Sequence, residues 1–304
     1  MSLLEETRTR LGPVGVWLST APMPVPVPPD AERAAVARLA ELGYGSLWSG
    51  EGPGTREVFA YFGDLLASTS GIVLGSGIAN VWARPGRTAQ SGGATLARSH
   101  PGRFVLGIGV GHAFQAAKYG SDYRPIELMR AYLAEMDAAA AENPPPVPFP
   151  RVLAAVGPKM LELARDHADG AHPFAQPLEH TAYAREILGP DKLLIPHQTV
   201  LLGTREDARA HVRQTQAMLR QYEIPHYTNS WKRLGYTNSD LGDASDRFVD
   251  GLIAWGSEER IVGRIGELLE AGADHVLVTP AATSLESTVD ALARLAPALA
   301  EVRR

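Results

Sequence analysis

The stretch LGIGVGH, Leu106–His112, carries the densest chemical signal in the chain. Glycines at 107, 109 and 111 alternate with apolar residues at the period of a β-strand, and His112 stands at the exit. Glycine weakens a strand interior, so three on one side mark a close approach of backbone or ligand. A side cleared in this way would admit a flat ring. A histidine at its end can take up or give a proton near neutral pH. A glycine-rich strand end followed by a surface histidine gives the same pattern. GSGIAN, Gly75–Asn80, repeats the theme, with small residues and the donor and acceptor groups of Asn80; a tightly packed strand end is its plain alternative. In AAVGPKM, Ala154–Met160, a strand runs into Gly157, and Pro158 takes the first position of a helix. The N–H groups at such a helix start attract anions, although an ordinary strand–helix turn has the same sequence. Glu51, in LWSGEG, ends another strand as a candidate acid, base or hydrogen-bond acceptor, or as a solvated loop charge. His172 in DGAHPF and His197 in IPHQ also fall at or near strand ends.

Several chemistries are excluded. The chain has no cysteine, which removes disulfides, thiolate metal sites, iron–sulfur clusters and a cysteine nucleophile. Its nine histidines show no H-E-x-x-H or other clean ligand spacing, so no metal centre is expected. Neither a G-x-S-x-G elbow nor a phosphate-binding P-loop is present. A net charge of -5 without a basic stripe argues against nucleic acid. The first residues, MSLLEETRTR, lack the apolar core of a signal peptide. Apolar runs stop well short of the roughly 18 residues of a membrane span. A cytoplasmic enzyme acting on a small molecule is the expectation.

The elements that must position these residues follow from periodicity. Apolar runs at 14–19, 46–49, 72–79, 104–110, 151–155, 171–172, from 193, and at 275–279 each precede an amphipathic stretch. Among the helix starts, Asp30 is expected as an N-cap, and Thr204 with Asp207 three residues on forms a capping-box pattern. Eight strand-then-helix units suggest an α/β fold of the TIM-barrel type, a (β/α)₈ barrel. An open doubly wound sheet also alternates, but it should show an early G-x-G-x-x-G, and here the first strand leads into PMPVPVPP. The segment from about Gln221 to Trp255 is too long for a simple connection. It is expected as a mostly helical insertion near the C-terminal mouth of one domain spanning residues 1–304. Barrel enzymes keep their catalytic groups at that mouth, and its small, sparsely polar wall suits a large planar cofactor.

LWSGEG, LASTSGIVLGSGIANVWAR, SHPGRFVLGIGVGH and VGPKMLELARDHADGAHPF together resemble the luciferase-like monooxygenase family in order and spacing over nearly the whole chain. The run from Leu66 to His112 is the most specific. AVGPKMLELARDHADGAHPF and the closing GADHVLVTP are similar to the branch that uses the deazaflavin coenzyme F420. The resemblance implies an F420-dependent oxidoreductase passing hydride to or from a small organic substrate, in a luciferase-like barrel and a homodimer. It implies a non-prolyl cis peptide at Gly77–Ile78 against the deazaflavin ring. The cofactor would then be held by Gly77, Ile78, Ala79 and Asn80, by Gly109, Val110 and Gly111, and by Ala155, Val156, Gly157 and Pro158. His112 falls where relatives carry a Glu or His near the reactive carbon. Glu51, the second catalytic candidate, falls where sugar-phosphate dehydrogenases of the family carry a histidine, which counts against a sugar phosphate. An FMN-dependent monooxygenase is the alternative. A cofactor-free binding protein is the reading of another class, opposed by the glycines at 107, 109 and 111 and by the unbroken GPKM turn.

Overall fold

The computed structural model describes residues 1–18, 27–52 and 56–302. The expected Pro-rich loop lies mostly outside these, as does Pro53–Thr55 of the glycine-rich loop after Glu51. The strands are β1 (Val14–Leu18), β2 (Ser46–Ser49), β3 (Val73–Ser76), β4 (Ala79–Asn80), β5 (Phe104–Gly109), β6 (Arg151–Leu153), β7 (Gly170–Ala171), β8 (Leu193–Leu194), β9 (His197–Leu201), β10 (Ile253–Trp255) and β11 (Val276–Pro280). The helices are α1 (Leu3–Leu11), α2 (Pro29–Glu41), α3 (Val58–Ser68), α4 (Gly86–Ser99), α5 (Ala113–Lys118), α6 (Pro125–Glu142), α7 (Pro158–His167), α8 (Leu178–Leu188), α9 (Arg205–Gln221), α10 (Pro225–Arg233), α11 (Asn238–Asp243), α12 (Asp246–Leu252), α13 (Glu258–Glu270) and α14 (Leu285–Leu299).

All strand pairs are parallel, in the order β10-β9-β11-β1-β2-β3-β5-β6-β7-β8, with β4 on β5. The ring closes because β8 and β9 are one run of chain. On one side Ile195 N–H donates to Ala171 O and His197 N–H to Pro173 O. On the other side Asp274 N–H donates to Leu194 O and Leu277 N–H to Pro196 O. Counting β3 with β4 and β8 with β9 as single strands, eight strands close the barrel, at the eight positions the periodicity indicates. β10 is a further strand on the free edge of β9, in register from Ile253 against Thr199 to Trp255 against Leu201. It lies within the segment expected to be mostly helical. That segment also holds α10 to α12, and its apolar side chains, Trp231, Tyr236 and Phe248 among them, form a cluster of their own with Val212 and Leu219 of α9.

Alternate residues of each strand separate into two cores, as the two-residue strand period requires. Val16, Leu47, Leu74, Leu106, Leu153 and Val278 pack outward under the helices. Trp48, Val73, Val105, Val152, Leu193, Ile195 and Leu277 fill the interior, with Trp17 against them and Leu11 of α1 below. Helix α1 was not expected from the sequence. It is capped by a reciprocal Ser2–Glu5 box and held by Arg8 on Asp274 at 2.8 Å. The box at Thr204–Asp207 forms as expected. Asp30 is not the cap of α2: Pro28 is, Pro29 opens the helix, and Asp30 lies in the first turn. The fixed φ of proline suits the first helical position and moves the start two residues upstream.

The alternating glycines serve the barrel itself, which corrects the expectation of space cleared for a ring. A Cβ on Gly75 would stand 2.3 Å from the Trp48 indole, and one on Gly107 would stand 1.9 Å from Ser76 O. A Cβ on Gly109 would meet the Ile78 side chain at 2.6 Å. Gly111 is needed for another reason, its φ of +58°. Gly107→Ala should therefore destabilise the protein by roughly 1–3 kcal/mol, the usual cost of overpacking. Urea unfolding measures this; a midpoint and slope equal to wild type would show that the barrel relaxes freely there.

Candidate active site at the barrel mouth

The expected third strand is not continuous to Ala79. It breaks between β3 and β4, and the Gly77–Ile78 peptide between them is cis. The break is fixed by neighbours on two strands. Gly77 N–H donates to Ser49 O at 2.8 Å, and Glu51 N–H donates to Ile78 O at 3.0 Å. Trp17 Nε1–H, from β1, donates to Gly77 O at 3.1 Å. Gly50 lets this backbone come close, since a Cβ there would stand 2.9 Å from Gly77 O.

Glu51 is buried, and both its oxygens are engaged. Oε2 accepts from Asn80 N–H and from Arg84 Nη1 at 2.8 Å each; Oε1 accepts from Val58 N–H at 3.2 Å and from Arg84 Nη2. Arg84 also reaches Glu57 at 2.6 Å. Burial opposes the charge of Arg84, but its bonds to Glu51 outweigh that and raise its pKa. The pair ties the end of β2 to the chain after β4. Sequence reasoning did not find Arg84, because its partner lies 33 residues away.

Asn80 is buried and braced on three sides. Its N–H meets Glu51, its Oδ1 accepts from Trp82 N–H at 3.0 Å, and its Nδ2 donates to Gln115 Oε1 at 3.4 Å. The same Gln115 oxygen accepts from His112 N–H at 2.9 Å. Trp82 Nε1–H donates to Val110 O, and Tyr123 OH to Gly111 O. The ends of β4 and β5 are thus locked together.

His112 caps α5. Its ring stacks on His226 at 5.2 Å and on Phe114 at 5.6 Å, with Tyr227 edge-on at 6.4 Å. Nδ1 is buried with no hydrogen-bond partner among the described residues. Burial lowers the pKa of His112, and burial, then the nearby His112, pushes His226 down to about 4. His226 and Tyr227 sit at the start of α10, which also crosses to the next site. There Ser230 Oγ donates to Val156 O at 3.4 Å, beside the bond from His180 Nε2 at 2.9 Å.

Gly157 caps α7 in extended backbone, φ −101°, and Pro158 follows at the first position. A Cβ on Gly157 would meet nothing within 4 Å. Among the glycines of the expected site, this one faces open space. Ala155 is buried, and Val156 is partly covered. The structure brings Glu51, Gly77–Asn80, Gly109–Gly111 and His112 into one bonded network, and α10 links that network to the Gly157 turn. Another recess, about 450 Å³, lies between the ends of β9 and β11 and helix α14, and contains none of these residues.

His172 and His197 lie at the mouth on the other side of Trp17 and are almost fully buried. No group of three or more potential ligands gathers for a metal among the described residues. No helix there is long and apolar enough to cross a membrane.

With this geometry in view, the relatives are informative. Residues 11–275 match the family described as luciferase-like monooxygenase. The chain belongs to that family. A 5,10-methylenetetrahydromethanopterin reductase of Methanolobus tindarius is 30% identical over 167 residues, 48% of this chain and 51% of that protein, so the match spans about half of each. Among solved structures, the coenzyme F420-dependent tetrahydromethanopterin reductase of Methanopyrus kandleri aligns with a TM-score of 0.70 at 17% identity, over 94% of this chain and 99% of its own. An F420-dependent secondary alcohol dehydrogenase bound to an F420–acetone adduct gives 0.70 at 15%, over 94% and 98%. The oxygenating constituent of the 3,6-diketocamphane monooxygenase of Pseudomonas putida, with FMN, gives 0.71 at 15%, over 95% and 98%. At these identities the structural matches speak for the luciferase-like barrel fold.

The buried histidines have a consequence for stability. Burial pushes the pKa of His172 and His180 to about 4 and that of His197 to about 3. Unfolded, each ring takes up a proton near pH 6.5. Below that pH the unfolded chain binds more protons, so stability is full above about pH 6.5 and falls on acidification, by about 1.4 kcal/mol per pH unit for each ring, until the folded pKa is reached. Urea unfolding at pH 7, 6 and 5 should show this decline. Equal unfolding free energies across the series would mean that these rings are not held neutral.

Proposed function

We propose that the chain is an F420-dependent oxidoreductase acting at the barrel mouth on a small organic substrate. The observation that carries this reading is the pairing of a braced, small-residue wall with an open glycine turn at a helix start. The wall is the Gly77–Ile78 break with the ends of β4 and β5. The turn is Gly157, where a Cβ would meet nothing and where helix N–H groups favour an anion. These residues fit a flat ring joined to a phosphate-bearing tail, and the two structural neighbours named as F420-dependent, a tetrahydromethanopterin reductase and a secondary alcohol dehydrogenase, support the coenzyme chosen. Gly77, Ile78, Ala79 and Asn80 would form the wall under the ring, Gly109, Val110 and Gly111 its flank, and Ala155, Val156, Gly157 and Pro158 the tail site. When bound, the deazaflavin supplies the hydride donor or acceptor.

The protein's part is orientation and proton transfer. His112 is our choice for the proton role: its Nδ1 is unpaired and burial favours the neutral ring at pH 7. Glu51, with both oxygens engaged, is better suited to holding the wall, through Asn80 and Arg84, than to moving a proton. We further propose a homodimer in the cytoplasm, in keeping with the prevalence of two-fold assemblies.

His112→Ala should leave coenzyme binding nearly intact while kcat falls about 10²-fold or more, the usual worth of a positioned acid or base. The wild-type rate should fall as pH drops through a value below 6.5, and that limb should vanish in the variant. Unchanged turnover would remove His112 from the mechanism. Because FMN occupies a structural neighbour, the protein should be titrated with both cofactors by fluorescence quenching. Tight FMN binding without F420 binding would replace the proposal by a monooxygenase; binding of neither would favour a cofactor-free binding protein.

Gly157→Val should fold normally, since its φ and surroundings accept a side chain. It should weaken the intact coenzyme by roughly 1–3 kcal/mol, as expected if one charged hydrogen bond is lost. A coenzyme without its phosphate tail should bind wild type and variant equally. A folded variant with wild-type affinity for the intact coenzyme would move the tail elsewhere.

A further inference from the structure

We infer that His172 and His197 form a subsite inside the barrel mouth for an uncharged, hydroxyl-bearing part of the substrate, covered by the Phe174 ring. The inference rests on the mouth being the active site and adds the chemistry of what enters it.

Three ring nitrogens, His172 Nε2 and both nitrogens of His197, are buried with no hydrogen-bond partner among the described residues. The two residues are 1% and 5% exposed. Buried polar atoms are normally paired, so three in one place need an explanation. Both residues lie beside the wall of the proposed cofactor site. A Cβ on Gly77 would come within 3.2 Å of His172 Nε2. His172 packs on Trp48 at 5.4 Å, and His197 lies edge-on to Trp17 at 5.8 Å. Trp17 is the residue that bonds Gly77 O.

The hydrogen bonds fix what the pair can bind. His172 Nδ1 lies 2.7 Å from Ile195 O. A carbonyl can only accept, so Nδ1 carries the proton and the neutral ring presents Nε2 as a bare acceptor. Neutral His197 presents one donor and one acceptor. Together they match a group that both donates and accepts, such as an alcohol hydroxyl. They do not match a carboxylate or phosphate, which needs donors or a cation. The surrounding rings, Trp17, Trp48 and Phe174, carry no charge, and burial keeps both imidazoles neutral well below pH 7.

Phe174 is the cover. Its ring stacks on His197 at 3.9 Å, meets Trp17 edge-on at 4.9 Å and reaches His172 at 6.2 Å. It is half-buried, whereas the histidines beneath it are closed off. The next residue, Ala175, has a φ of +50°, and its carbonyl accepts from Trp231 Nε1 and Gln176 Nε2. That pinned turn sets Phe174 over the pair.

The test is a long-range proton–nitrogen NMR spectrum of the whole protein labelled at histidine nitrogen, with no cofactor. His172 should show the Nδ1–H form. Titration with 2-propanol and cyclohexanol should move the Nε2 signal of His172 and the signals of His197. Isobutyrate and cyclohexanecarboxylate should leave them in place. His172→Leu should weaken cyclohexanol by about fivefold or more, the effect of one neutral hydrogen bond, and Phe174→Ala should tighten it. F420 quenching should be unchanged in both variants. The inference is overturned if neither class moves these signals in the wild type, or if the carboxylates move them as strongly as the alcohols. Failure of F420 to bind wild type would remove the coenzyme assignment while leaving the NMR result to decide the subsite.

Discussion

The limited space inside an eight-stranded barrel governs this molecule. Such an interior is just wide enough for side chains to fill, and here β1 and β2 each send in an indole, Trp17 and Trp48. The facing positions must then be small. Gly75 gives way to the Trp48 ring, and Gly107 lets Ser76 O approach. Below them a chain of hydrogen bonds runs from Trp48 Nε1 to Ser46 Oγ, on to His275 Nε2, and from His275 Nδ1 to Gly12 O. Gly15 makes room for that chain, since a Cβ there would meet Ser46 Oγ at 2.2 Å. The floor of the mouth is therefore filled and hydrogen-bonded by the protein's own groups.

On that floor, several polar groups at the mouth have a structural assignment. Trp17 holds the Gly77 carbonyl, and Glu51 holds Asn80 and Arg84. A buried ion pair of this kind returns its desolvation cost only with good geometry and further hydrogen bonds. Glu51 has both, with backbone N–H groups filling its remaining positions. Among the described residues, imidazole nitrogens of His112, His172 and His197 are buried without a hydrogen-bond partner. These rings are neutral near pH 7 because burial disfavours their charged forms. The mouth thus combines a fixed wall with neutral groups able to exchange hydrogen bonds, and its one proposed anion site is removed to the Gly157 turn.

Helix α10 gives the mouth its coherence. It presents His226 to His112 at one end and Ser230 to Val156 O further along, while Trp231 pins the turn behind Phe174. The segment after α9 therefore reaches three parts of the mouth. In a barrel whose strands form the constant part, such loops are where selectivity is set.

The sequence by itself determined what depends on neighbours a few residues apart. Strand period and helix period located the eight barrel strands, and the local box at Thr204–Asp207 was readable because both partners lie within one turn. The motifs carried the family and the place of the cis bond at Gly77–Ile78. The sequence also showed that glycines 75, 107 and 109 matter, but not what they admit. That was decided by barrel closure, which brings Trp48, Ser76 O and Ile78 opposite them. The partner of Glu51, the stacking of His226 on His112, the plug formed by α1 and the added strand β10 were likewise fixed only in three dimensions. Each depends on contacts between distant segments, and a carboxylate or an imidazole has the same local sequence signature whether it meets solvent, an arginine or another ring.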